Sequence, residues 1–169
     1  MKYFAVAALA LTAAGCGYHV GGHADLMPKS IKTIAIPALG NSTTRSRLPV
    51  MLTSDLAREF NTRTRYRIVA DPNEADAVLH GSVVNFTNYP TIFDPASGRA
   101  TGVQVIVNVQ LKLTDRSGKV LFYRPSAEFR ERYEITTNPQ AYFDESDTAL
   151  SRLSQDVARS IVTAILEDF

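Results

Sequence analysis

The chain has 169 residues, 18 basic and 17 acidic side chains, three histidines and one cysteine. That length fits one domain with one substantial core, and a net charge of +1 gives no bulk electrostatic reason to expect a nucleic-acid partner. A single cysteine excludes a disulfide within the chain, and no apolar run reaches the ~20 residues a membrane-spanning helix needs.

The N-terminus has the three parts of an export signal. Lys2 carries the positive charge, residues 4–11 (FAVAALAL) are apolar, and Ala13, Ala14 and Gly15 lead into Cys16. Small residues before a cysteine resemble a lipobox, in which the thiol takes a diacylglycerol and the new N-terminus an acyl chain. Ala13 stands where such boxes usually carry leucine, and Leu11 lies two residues earlier. A lone exposed thiol in an exported protein is a liability, and this one sits where lipidation uses it. Residues 1–15 are therefore expected to be removed, and residues 16–30 to tether a domain over 31–169. Removal takes away Lys2, which leaves basic and acidic groups equal at 17. The anchor is then lipid, with no other cofactor.

Residues 17–30 are glycine-rich and read as the tether. A short strand over 32–37 centres on Ile34 and Ile36, and the polar run 40–44 offers helix caps. Leu48, Met51, Leu52, Leu56 and Phe60 then recur at three- and four-residue steps, one helical stripe, leaving Arg47, Asp55, Arg58 and Glu59 for water. Pro49 is tolerated in the first turn, where its missing N–H is not required. Strands follow over 66–69 and 77–86, the latter with Gly81 as a bulge candidate.

The clearest strand is 102–114: Val103, Val105, Val107, Val109, Leu111 and Leu113 alternate with Gln104, Ile106, Asn108, Gln110 and Lys112. Unbroken period-two patterning puts one face on a core and the other in water. Residues 115–118 form a hairpin turn, with Gly118 free to take positive φ. The return strand, 119–134, places Leu121, Tyr123, Ala127, Phe129 and Tyr133 on one face, with a bulge or an edge expected at Pro125. Asn138-Pro139 is a helix start, and Leu150, Leu153, Val157, Ile161, Ala164 and Ile165 make the buried stripe of a last helix ending near Glu167. The order β-α-β-β-β-β-α predicts an α+β two-layer sandwich. Its sheet is mixed, mostly antiparallel, of four to five strands, with both amphipathic helices on one face.

Chemistry is sparse. His19 and His23 are four residues apart, but Gly21 and Gly22 between them argue against a helical metal pair, and His80 falls on a strand surface. No nucleophile elbow and no phosphate-binding glycine loop occurs. Glu128, Glu131 and Glu134 beside Arg130 and Arg132 read as charges on a wet strand face, so no enzyme is expected. Two binding surfaces stand out. Residues 87–100 are long for a hairpin connection and carry Tyr89, Ile92 and Phe93 between prolines, with Arg99 near the end. The second is the hairpin tip, where Arg116 and Lys119, with Lys112 nearby, suit an anionic ligand such as a phosphorylated lipid.

Taken together, Cys16-Gly17-Tyr18, the strand KTIAIP (32–37), RYRIV (65–69) after the leucine-striped helix, ADAVL (75–79), the alternating strand with its hairpin, and NPQA (138–141) before the last helix resemble the LptE family. These are lipopolysaccharide-assembly lipoproteins of Gram-negative outer membranes. The resemblance spans nearly all of the chain after Cys16; the longer polar C-terminal tail of many members has no counterpart before Phe169. It implies a plug inside the LptD outer-membrane β-barrel that helps the barrel fold and helps deliver lipopolysaccharide, held at the inner leaflet of the outer membrane by its lipid. It also implies lipopolysaccharide contacts around the strand-hairpin region, here Arg116 and Lys119. A second reading is another periplasmic binding module, since Ile34-Ala-Ile-Pro37 and Asn41-Ser-Thr43 also resemble the opening of peptidoglycan-synthase activators and curli-pore lipoproteins. A third, a hydrolase using Glu128 or Glu131, requires a concave site with a raised carboxylate pKa.

Overall fold

The structure is a computed structural model that describes residues 27–134 and 139–168. Cys16, the export signal, His19, His23 and the Asn138 cap lie outside the described residues. The elements are β1 (Thr33–Ala35), β2 (Gly40–Asn41), α1 (Arg47–Arg63), β3 (Arg67–Val69), β4 (Ala77–Phe93), β5 (Ala100–Asp115), β6 (Val120–Glu134) and α2 (Pro139–Glu167), with one 3₁₀ turn at Pro72–Glu74. They form an α+β sandwich. The expected order holds, with the two-residue β2 added as a sixth strand.

The sheet order is β3-β1-β4-β5-β6, and β2 pairs with β4. β1 runs parallel to β3 and β4, because α1 carries the chain back across the sheet between β1 and β3. β4, β5 and β6 are a long antiparallel meander. Alternation does what the sequence demanded of it: Val103, Val105, Val107, Val109, Leu111 and Leu113 are all buried. They pack against Leu48, Leu52, Leu56 and Phe60 of α1 and Leu153, Val157, Ile161 and Ile165 of α2 in one core. Both helices therefore lie on the apolar face, and the other face is left to water. Met27, within the stretch read as tether, is buried in this core, so the fold is already under way at residue 27.

Four expectations are corrected. The stretch 87–100 is mostly strand: β4 runs on to Phe93 and β5 begins at Ala100, leaving only 94–99 as a turn. Pro90 concealed this. β1 and β2 pair only with the first half of β4, so its second half is a sheet edge, where a proline is tolerated. The register slips between Pro90 and Ile92 and again before Phe93 absorb the irregularity.

Gly81 is not the bulge, which falls at Val83–Asn85. A Cβ at Gly81 would meet Leu39 Cδ2 at 2.5 Å and the Gln110 carbonyl oxygen at 3.2 Å, so this glycine serves close packing.

In β6 the bulge at Pro125–Ser126 is real, and it reverses the face. Val109 pairs with Ala127, but Leu111 pairs with Arg124. One extra residue shifts the parity, so Phe122 is buried while Tyr123 is exposed, on the face opposite Ala127 and Phe129.

Asp55, assigned to water, is 7% exposed. Its carboxylate accepts a hydrogen bond from the wholly buried Ser154 hydroxyl of α2 at 2.5 Å and is ion-paired to Arg58. This buried polar pair joins the helices within their contact, whose exposed edges carry the Arg47–Asp147 ion pair and the hydrogen bond from Arg63 to the Arg159 carbonyl.

Candidate functional site

The long meander separates the candidate residues into two ends. β5 has 16 residues, which at ~3.3 Å per residue is about 50 Å between the turn at 94–99 and the turn at 115–119. Tyr89, Ile92, Phe93 and Arg99 sit at one end, Arg116 and Lys119 at the other, and Lys112 on the sheet near the second. They are not one site.

At the first end, the hairpin turn is self-contained. Asp94 accepts from the Ala96 and Ser97 amides and the Ser97 hydroxyl, and Gly98 turns the chain at φ +65°. The Ser97 hydroxyl, ahead of those amides, holds the Asp94 carboxyl below its ordinary range. Beside this turn the strand ends present apolar surface: Phe93 is 56% exposed, Ile92 47% and Tyr89 40%. Ile92 lies against the bare Gly102 backbone, where an added Cβ would meet it at 3.1 Å.

Cross-strand register adds residues that the sequence reading treated as mere solvation. Tyr89 pairs with Gln104, which pairs with Arg132; Thr87 pairs with Ile106, which pairs with Arg130. Directly paired residues share a face, so Arg130 and Arg132 lie on the same wet face as Tyr89. Arg130 binds Glu128 at 2.6 Å, and that carboxylate raises the guanidinium's pKa. Knowing the hairpin register would have revealed this aromatic and cationic face from the sequence.

At the second end, Asp115 accepts from the Ser117 amide and hydroxyl and the Lys119 amide, and Gly118 takes φ +83°. The Ser117 hydroxyl, first among these, lowers the Asp115 pKa. Arg116 points back into the fold. Its Nε donates to the Ala75 carbonyl at 2.7 Å, its Nη2 donates to the Glu74 carbonyl at 3.0 Å, and it lies 3.6 Å from Asp76. These contacts hold the hairpin tip to the 3₁₀ turn and engage two of the five N–H donors of the guanidinium. Lys119 is exposed.

Lys112 belongs to a separate feature. On the wet face it stands between His80 and Tyr123 in cross-strand register. With Ser82, Gln110 and Val120 these line a shallow groove of about 530 Å³, where the Gln110 amide donates to the Tyr123 hydroxyl at 3.4 Å.

The carboxylates considered for hydrolysis are not assembled. Glu128 pairs with Asn108 on the wet face and Glu131 with Val105 on the core face, so they project from opposite sides of β6. Glu131 instead lines a small crevice with Arg45, Phe86 and Leu153, in which the Arg45 guanidinium stacks on the Phe86 ring at 5.0 Å. Among the described residues, no group of three or more His, Cys, Asp or Glu side chains is placed to hold a metal, and no helix is long and apolar enough to cross a membrane.

Comparison with solved structures finds the same fold in several proteins. The solution structure of lipoprotein B from Nitrosomonas europaea is 14% identical, with a TM-score of 0.55 over 78% of this chain and 79% of that one. The rare lipoprotein B of Shewanella oneidensis is 18% identical, with a TM-score of 0.53 over 80% of this chain and 94% of the other. A PelC dodecamer from Paraburkholderia phytofirmans is 17% identical, with a TM-score of 0.50 over 81% and 89%. At these identities the likeness establishes the fold alone. No curated protein matches the chain. The family model for LptE, lipopolysaccharide assembly, matches residues 31–165, all the strands and nearly all of both helices, and the chain belongs to the LptE family.

Proposed function

We propose that the chain is an outer-membrane lipoprotein, acylated on Cys16, that plugs and helps assemble an LptD β-barrel and assists lipopolysaccharide delivery to the outer leaflet. The family match over residues 31–165 carries this reading. The geometry supports it. One sheet face is polar and free of helices, as suits a domain inside a water-lined barrel, and the tip with Tyr89, Ile92, Phe93 and Arg99 offers apolar and cationic contacts at one end. The protein's work is binding and positioning rather than catalysis. Of the three basic candidates, Lys112 and Lys119 are exposed, while Arg116 has its Nε and one Nη2 hydrogen engaged by backbone carbonyls and keeps the rest of its guanidinium for an anionic ligand.

A crosslinked pull-down of the tagged, acylated protein from outer-membrane extracts tests this. Recovery of one dominant large β-barrel is expected; a peptidoglycan synthase, or no partner, contradicts it. The likeness to PelC favours a second reading, since this fold occurs there in a dodecamer. Under that reading the chain serves another envelope complex as an assembly of its own copies. A mass measurement of the purified protein in detergent separates the two, with a monomer expected for the plug.

A further inference from the structure

The groove on the wet face owes its aromatic wall to a register shift. In the sequence Tyr123 keeps parity with Ala127 and Phe129, which pair with the buried Val109 and Val107. The extra residue at Pro125–Ser126 reverses that parity, so Tyr123 stands on the opposite face, 50% exposed and directly across from Lys112. A bulge can re-aim a side chain in this way. Here it puts a ring in one row with Lys112 and His80, on three adjacent strands. Ser82 and Gln110, paired with each other, form the next row, and Val120, 45% exposed, closes the side toward the hairpin turn. The enclosed volume of about 530 Å³ falls within the roughly 300–1,000 Å³ usual for small-molecule sites. The Lys112 and His80 side chains are exposed and enter no hydrogen bond or ion pair among the described residues. No carboxylate among those residues lines the groove, and Glu128, further along the same face, is held by Arg130 at 2.6 Å.

We propose that this groove binds a phosphorylated sugar. The Tyr123 hydroxyl accepts a hydrogen bond from the Gln110 amide at 3.4 Å, which steadies the ring and leaves it half-exposed to receive the apolar face of a sugar. Ser82, Gln110 and His80 supply donors and acceptors for sugar hydroxyls, and the Lys112 ammonium supplies the charge that a phosphate needs. A bare anion would engage Lys112 and leave Tyr123 and Val120 unused, whereas an uncharged sugar would leave Lys112 without a counter-charge. An extended peptide gains affinity by adding to a free sheet edge, but the floor here is β5, which is already paired with β4 on one side and β6 on the other. A shallow, open groove gives weak binding, expected at about millimolar Kd. The inference goes beyond the barrel reading and needs neither a barrel nor an acyl chain, so either one can fail while the other stands.

The test is nuclear magnetic resonance of the full chain in a detergent without sugar groups, with glucose 1-phosphate as the probe. Saturation transfer from the protein to the sugar ring protons is expected together with broadening of the phosphorus line. Lys112→Gln is expected to weaken binding about tenfold. Tyr123→Leu is expected to weaken it about threefold, and Tyr123→Phe, which keeps the ring, to retain it. Lys29→Gln, at an exposed position outside the groove, is expected to change nothing. Thermal melts of each variant separate a lost site from a lost fold. Methyl glucoside, which lacks the phosphate, is expected to bind about tenfold more weakly than the phosphate ester. Equal transfer to methyl glucoside overturns the proposal, since the charge then plays no part. Broadening of inorganic phosphate to the same extent, without saturation of the sugar protons, assigns the groove to a free anion and overturns it. Displacement of the sugar phosphate by a hexaglutamate peptide at lower concentration assigns the groove to an acidic protein segment and also overturns it, as does the absence of any signal from a folded protein.

Discussion

Asp76 accepts hydrogen bonds from the Lys32 amide at 2.9 Å and from the Thr33 amide and hydroxyl at 3.0 Å, while Arg116 approaches from the β5–β6 turn. One carboxylate thus joins the start of β1, the approach to β4 and a distant hairpin. The Lys32 amide is the largest cause of its lowered pKa, ahead of opposing desolvation, the Thr33 donors and Arg116. A carboxyl with a depressed folded-state pKa stabilises the fold above its unfolded value and loses that contribution as pH falls through the folded value. Thermal melts of the intact protein should therefore drop as pH falls below about 4, and those of Asp76→Asn should drop less over that window. At neutral pH Asp76→Asn is expected to cost about 1.5–3 kcal/mol, because hydrogen bonds to a charged acceptor are weakened. Equal pH slopes in the two proteins contradict this account. None of it was legible in the sequence, because residues 32, 33, 76 and 116 meet only after the parallel β1–β4 pairing is formed.

Asp55 and Ser154 make a similar point. Asp55 was read by helical position alone, and as a charged residue beside the apolar stripe of α1 it was assigned to water. The structure closes α2 over it, so that Asp55→Ala leaves the Ser154 hydroxyl buried without its partner. A loss of about 1–3 kcal/mol is expected. The double variant Asp55→Ala/Ser154→Ala should recover part of that loss in chemical denaturation; no recovery contradicts the coupling.

Among the elements, β5 was legible to its ends because burial on a single face imposes period two on the sequence and nothing interrupts it. β6 was legible as a strand but not in its facing. Leu121, Tyr123, Ala127, Phe129 and Tyr133 keep one parity in the sequence, whereas the extra residue at Pro125–Ser126 makes Phe122 the buried one. Phe122→Asp is accordingly expected to cost about 3 kcal/mol or more, and Tyr123→Asp less than about 1 kcal/mol, in urea denaturation. The opposite ranking contradicts the facing. The second half of β4 was missed for the converse reason: Pro90 signals a break, and only the edge position of this half allows the ladder to continue past it.

Across the whole molecule, the described fold has a helix-covered face, a wet face and two ends about 50 Å apart along β5. The apolar tip lies at one end, and β1 and β3 pair only with the opposite half of the sheet. Phe93→Asp alters an exposed side chain, so it is expected to shift the melting temperature little while reducing recovery of a barrel partner in the pull-down.

The central claim is tested most directly by a photo-crosslinking amino acid at Phe93 of the acylated protein in outer-membrane vesicles, with mass spectrometry of the adduct. An adduct to the interior wall or a loop of a large outer-membrane β-barrel of LptD type is the result this account predicts. An adduct to a second copy of the chain or to a non-barrel envelope protein, or none at all, would contradict it.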